Sequence, residues 1–283
     1  MSATLDFLSR IFAPVRRVRD DAARHRAERD SARTERDRLR AECDAMREKL
    51  ALRDGARPLT YQADGLATIH DTHFLEEPEF LAAYAAGVAA AGEDYDWRWR
   101  VHTGLWAARH AAALRGDFVE CGVHRGFLSA AIMHLLGWEN EARTFWLLDT
   151  FQGLVDKQIA DTERKLGRRA GAEGSYEECY EAVVRVFSKY PNVRIVRGAI
   201  PDTLAQAAPD QVAYLHVDMN CAAPEIAAAE WFWPRLVPGG VVLLDDYAYA
   251  GFTPQREAWN AWAKIRSVAI LSLPTGQGLL LKP

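Results

Sequence analysis

The chain has 283 residues, enough for one or two domains at ~150 residues each, and its 49% hydrophobic and 26% charged content fits a globular protein with a sizeable core. A net charge of −4 and a pI near 6.1 argue against a protein whose main task is to grip a nucleic-acid backbone. Four scattered cysteines without metal-ligand spacing, and no apolar run approaching ~18 residues, predict a reducing cytoplasmic setting with no disulfide framework, membrane span or signal peptide.

In chain order, the first feature is a charge-laced stretch, 16–54, with neither Gly nor Pro. It predicts one long N-terminal helix. A heptad runs through Leu8, Ile11, Val15, Val18, Ala22, His25, Arg29, Ala32, Arg36, Leu39, Cys43, Met46 and Leu50, with polar residues at mid-seam positions that would set register. We read a coiled coil that makes a homo-oligomer, against the alternative of a solvated single helix. Leu5, Phe7, Leu8, Ile11 and Phe12 ahead of Arg16 and Arg17 are read as the apolar start of that coil rather than as a peripheral membrane contact.

Gly55 to Pro58 breaks the helix, and 79–91 and 97–113 then read as two helices in a cap-like region, 55–115. From 116 to 283, apolar β-type runs at 117–121, 144–148, 193–196, 212–217 and 240–244 alternate with helical stretches at 128–136, 176–190, 223–236 and 255–265. Such alternation predicts crossover connections and an α/β fold with a parallel sheet. The runs 267–272 and 279–282 flank a Pro-Thr-Gly turn and read as a closing antiparallel hairpin. The expected architecture is a Rossmann-like, mostly parallel seven-stranded sheet of the class I methyltransferase kind.

Four strand ends carry the chemistry. The first turn, Glu120-Cys121-Gly122-Val123-His124-Arg125-Gly126, has glycines that let backbone approach a ligand at a helix start. Glu120 stands where a dinucleotide fingerprint would have its first glycine. A carboxylate there repels a pyrophosphate and suits an ammonium group, such as the methionine end of S-adenosylmethionine. Asp149 ends the next strand, where a ribose diol would be gripped, with a helix N-cap as the bland reading. Arg197-Gly198-Ala199 ends the third and suits an adenine edge against backbone. Asp218 closes the fourth, and Asp245-Asp246 the fifth. Three carboxylates at neighbouring strand ends repel one another unless protons or a cation join them, and oxygen-only ligation suits Mg²⁺. Asp245 and Asp246 would face opposite ways on a regular strand, so both reach one ion only if the strand has already turned. His70 and His73 lack a third ligand for zinc, His216 reads as a hydrogen-bonded core histidine, and Trp231, Trp233, Trp259 and Trp262 read as core.

As an ordered set, Glu120-Cys121-Gly122-Val123 with Arg125-Gly126, Asp149-Thr150-Phe151-Gln152-Gly153-Leu154, Pro201-Asp202-Thr203-Leu204, Asp218 and Asp245-Asp246-Tyr247 resemble the macrocin/mycinamicin-type sugar O-methyltransferases over 61–283. The resemblance implies an S-adenosylmethionine cofactor held by Glu120, Gly122, Val123, Gly126, Asp149 and Gly198. It implies Mg²⁺ on Asp218, Asp245 and Asp246, with Asp218 as general base, and an acceptor hydroxyl on a sugar. The N-terminal helix is additional to that pattern, and the substrate-side segments match no member that would name an acceptor. The charged segment 155–174 would serve as a lid, and its cations (Lys157, Arg164, Lys165, Arg168, Arg169) would suit a phosphate-bearing sugar or a solvated loop equally. The rival readings are a nicotinamide-dependent oxidoreductase, which Glu120 opposes, and a coiled-coil assembly protein with an inert domain, which the acidic trio opposes.

Overall fold

The computed structural model describes residues 31, 34–36, 38–46, 58–171 and 176–283. The chain divides into two compact units, 1–61 with 67–71 and 62–66 with 72–283. In the first, residues 31, 34–36 and 38–46 are helical and almost wholly exposed, and Arg38 pairs with Glu35 at 3.7 Å and Glu42 at 3.0 Å. The rest of the predicted N-terminal helix and its heptad seam lie outside the described residues. Among the described residues no helix is long and apolar enough to cross a membrane.

Strands β1 (Tyr61–Ala63) and β2 (Leu66–Thr68) flank Asp64 and Gly65, both left-handed at φ 49° and 73°. Within the larger unit, helix α1 (Pro78–Ala91) starts on a proline that needs no donor there and stops at Gly92 in the left-handed region. Helix α2 (Arg98–Ala112) follows, and α3 (Phe127–Leu136) comes after the first core strand. A Cβ at Gly87 would lie 2.6 Å from the Phe127 ring, so a glycine in mid-helix is what lets α1 settle on the start of α3. The predicted cap region therefore packs with the sheet rather than beside it.

The sheet is built from β3 (Asp117–Cys121), β4 (Phe145–Asp149), β5 (Val193–Arg197), β6 (Val212–Val217), β7 (Leu236–Leu244), β8 (Leu271–Ser272) and β9 (Gly278–Leu281). Its order is β5-β4-β3-β6-β7-β9-β8, with β3 to β7 parallel and β9 antiparallel to both β7 and β8. This is the predicted Rossmann-like sheet with its antiparallel closure. Short helices α4 (Asp161–Lys165) and α5 (Tyr180–Phe187) precede β5, α6 (Ala222–Phe232) links β6 to β7, and α7 (Thr253–Arg266) precedes the hairpin.

Both faces are covered, which is why β6 is buried along its whole length and reads as an apolar run broken only by His216. Phe118, Phe145, Tyr214 and Trp138 pack towards α1, α2 and α3. Val119, Leu215 and Val242 pack on the other face with Phe232, Trp259 and Trp262, so the last two tryptophans are core as expected. Helix α6 ends earlier than predicted because Pro234 has no N–H to continue it, and a single 3₁₀ turn leads into β7.

Candidate active site

One cleft opens at the carboxyl edge of the sheet, where the strand order reverses beside β3. Glu120, Gly122, Val123, Asp149, Gly198, Asp218 and Asp245 line it; Gly126 and Asp246 do not. The turns leaving β3, β4 and β6 each hold a non-glycine residue in the left-handed region: His124 (φ 48°), Phe151 (φ 57°) and Asn220 (φ 57°). All three line the cleft, which thus holds half of the six left-handed non-glycine residues among the described residues.

At the β3 turn, Asp149 acts as a brace. Its Oδ2 accepts the backbone N–H groups of Val123 (2.6 Å) and His124 (2.7 Å), and its Oδ1 accepts that of Phe151 (2.6 Å). Gly122 is demanded by backbone as much as by any ligand, since a Cβ there would sit 1.6 Å from the Asp218 carbonyl oxygen. Gly198 donates its N–H to the Asp149 carbonyl at 2.8 Å, which ties the β5 end to the same turn.

Glu120 is buried. It accepts from the Ser129 hydroxyl and lies 2.9 Å from His216 Nδ1. Burial by itself would lower the His216 pKa, but Asp245 and Glu120 on its two sides raise it to about 10, so the imidazole is a cation at neutral pH. His216 Nε2 stands 3.7 Å from Asp245 Oδ1. Asp245 in turn pairs with Arg100 and accepts from Gln277 Nε2 at 3.0 Å. Burial would push its carboxyl up, yet Arg100 and His216 hold it well below the usual carboxylate range. Arg100 Nε reaches Asp64 at 3.0 Å. Glu120, His216, Asp245, Arg100 and Asp64 thus form a buried row of alternating charge.

Asp218 and Asp246 are different. Burial first, then their acidic neighbours, raises both well above the ordinary carboxylate value. Asp218 Oδ1 accepts from Asn220 Nδ2 at 3.0 Å, and no Arg, Lys or His among the described residues forms an ion pair with either carboxylate. The two strand-end neighbours part company: Asp245 forms an ion pair with Arg100, while Asp246, raised by burial and then by Asp245 and Glu225, forms none among the described residues. Among the described residues no group of three His, Cys, Asp or Glu side chains is arranged to hold a metal ion.

Sequence reasoning missed Arg100, whose partner Asp245 lies 145 residues away, and gave His216 no charge. It also missed Tyr176 and Trp97 on the cleft wall. The predicted lid is described as far as residue 171, and four of its five cations, Lys157, Arg164, Arg168 and Arg169, are engaged within the protein. Lys157 pairs with Asp202 at 3.3 Å and Arg164 with Asp156 at 2.9 Å, while Arg168 is buried.

Comparison with known proteins places this geometry. Over 147 residues, 49% of this chain and 55% of the relative, the sequence is 33% identical to the 8-demethyl-8-(2,3-dimethoxy-alpha-L-rhamnosyl)-tetracenomycin-C 4'-O-methyltransferase of Streptomyces olivaceus. It is 28% identical to the mycinamicin III 3''-O-methyltransferase of Micromonospora griseorubida over 186 residues, 59% of this chain and 72% of that one. The chain thus spans about half the length of the first relative. The structure of the O-methyltransferase NovP is similar at a TM-score of 0.55 and 25% identity, covering 65% of this chain and 79% of that chain. The profile of the Macrocin-O-methyltransferase (TylF) family matches residues 105–270, more than half of the sequence, and the chain belongs to that family.

Proposed function

We propose that this chain moves a methyl group from S-adenosylmethionine to a hydroxyl of a sugar or glycosylated small molecule. The observation that carries the reading is the cleft with a glycine turn braced by Asp149 along one wall and the Asp218 carboxylate on another. Both relatives named above are O-methyltransferases by name; one name specifies a rhamnosyl-bearing tetracenomycin and the other mycinamicin III.

S-adenosylmethionine supplies the methyl on a sulfonium that is already a good leaving group, so the residues here must position and deprotonate the acceptor. Gly122, Val123 and Gly198 would offer backbone to the cofactor, and the carboxylates of Glu120 and Asp149 would hold its ammonium and ribose groups. Asp218 takes the hydroxyl proton as the oxygen–carbon bond forms, a role that suits a carboxylate with a raised pKa. The unpaired carboxylates Asp218 and Asp246 fit a hard divalent cation such as Mg²⁺, and these two would hold it, with Asp245 already committed to Arg100. Such an ion, when bound, would lower the pKa of an acceptor hydroxyl.

The test is calorimetry with S-adenosylhomocysteine and NADH, followed by a panel of free, glycosidic and nucleotide-linked sugars assayed for S-adenosylhomocysteine release. Binding of NADH and not of S-adenosylhomocysteine would overturn the reading. The N-terminal segment, in the same proposal, oligomerises the protein as a coiled coil in a reducing cytoplasm. Removing residues 1–54 should lower the number of chains per particle measured by light scattering, and an unchanged number would leave only a solvated helix.

A further inference from the structure

The segment 156–171 looks like a lid in sequence, yet it is fastened to the acid-bearing strand ends. Its base is closed by the Gly171 N–H donating to the Leu154 carbonyl at 3.1 Å. Two of its charged side chains point inward and are buried, Glu163 at 1% and Arg168 at 7% exposure. Glu163 accepts the N–H of Ala160 at 2.8 Å with one oxygen and that of Ala222 at 2.8 Å with the other. Ala222 opens α6, directly after the Asp218–Asn220 turn, so this carboxylate fills a helix-start donor from a distant part of the chain.

Arg168 makes the complementary link. Its Nη1 donates to the Gly251 carbonyl at 2.6 Å and its Nε to that of Asn220 at 3.4 Å. The guanidinium lies 3.6 Å from the centre of the Phe252 ring. One planar cation therefore spans the loop after β6, which carries Asp218, and the loop after β7, which carries Asp246. A burial this complete is excessive for a flap that must swing clear.

We infer that Glu163 and Arg168 are positioning residues that brace the two acid-bearing loops at a fixed separation, so that 156–171 works as a strap and not as a lid. The inference rests on the reading of Asp218 as proton acceptor for its catalytic consequence, but not for its geometry. Glu163→Gln keeps the shape and turns one acceptor into a donor facing an N–H, while Arg168→Lys keeps the charge and loses the fork that reaches two carbonyls.

In full-length protein, amide hydrogen exchange at 220–222 and 251–252 should rise about tenfold or more in each variant, with exchange in β3 unchanged. The Kd of S-adenosylhomocysteine should stay within about twofold, because the substituted residues Glu163 and Arg168 do not line the cleft, and Gln158, the strap residue that does, is left unchanged. In methyl transfer the loss should fall on kcat, and Arg168→Lys should add nothing to Asp218→Asn, since a brace acts only through what it holds. Unchanged exchange at both loops, or faster exchange throughout the sheet, would overturn the strap. Faster loop exchange with an active Asp218→Asn enzyme would keep the strap and remove the base assignment.

Discussion

Arg100 Nη1 donates to both the carboxylate and the backbone carbonyl of Asp245, the latter at 3.2 Å, while the same guanidinium holds Asp64. A residue of α2 thereby fixes both the side chain and the main chain where β7 leaves the sheet.

Replacing that cation is the first test. Arg100→Leu leaves Asp64 and Asp245 buried without it, a change that costs about 3–5 kcal/mol in comparable buried pairs. Arg100→Lys should recover only part, because an ammonium cannot bridge two carboxylates with a planar fork. Urea denaturation reads the difference, and wild-type stability in Arg100→Leu would show that the row of charges is structurally idle.

The divalent ion can be separated from the cofactor. Chelator should stop methyl transfer and Mg²⁺ restore it, with S-adenosylhomocysteine affinity unchanged throughout. Across a Mg²⁺ titration Asp246→Asn should be partly rescued. Asp218→Asn should not, since it also removes the proton acceptor. Asp245→Asn should resist rescue for another reason: it disrupts Arg100 and His216 and no metal replaces those contacts. Full activity in chelator would remove the ion from the mechanism.

Glu225 supplies a pH test. Burial raises its carboxyl to about 8, against the opposing hydrogen bond from Trp259 Nε1 at 2.8 Å. The unfolded value is ~4.3, so between that and about 8 the folded state binds more protons and stability falls as pH rises. Asp218 and Asp246 are shifted in the same direction and add to the slope. Glu225→Gln keeps an acceptor for Trp259 and should flatten the profile without abolishing it. Urea midpoints at pH 6 and pH 8 decide the matter, and an unaltered gap between them would contradict the assignment.

What could be read from sequence follows from how local each signal is. The five parallel strands were legible because a strand covered on both faces is mostly apolar, as in β6, where His216 is the exception. The β3 turn and Asp149 were legible because glycine and acid stand at fixed distances from a strand end. Asp245 and Asp246 were found; both lie just past the end of β7, and it is the distant partner Arg100 that sets Asp245 apart from its neighbour. The partners of these acids were not legible. Arg100 lies in a helix of mixed polarity, 145 residues before Asp245, and no local pattern marks such a pairing. Glu163 and Arg168 sit in a charged run that looks solvent-facing until Ala222 and Gly251 are brought against it. The heptad of the N-terminal segment falls largely outside the described residues.

The left-handed residues His124, Phe151 and Asn220 set two selective pressures against each other. An L-residue in that region costs roughly 1–2 kcal/mol, less for Asn, and glycine relieves it. At Asn220 the relief would also delete the amide that donates to Asp218. A variant library sorted only for resistance to heat should thus drift towards glycine at His124, but not at Phe151, whose core side chain is 1% exposed and whose loss would cost more than the strain relieved. The same library sorted for turnover should keep Asn220. Divergent sequence outcomes at these three turns would mark where this fold and its chemistry compete.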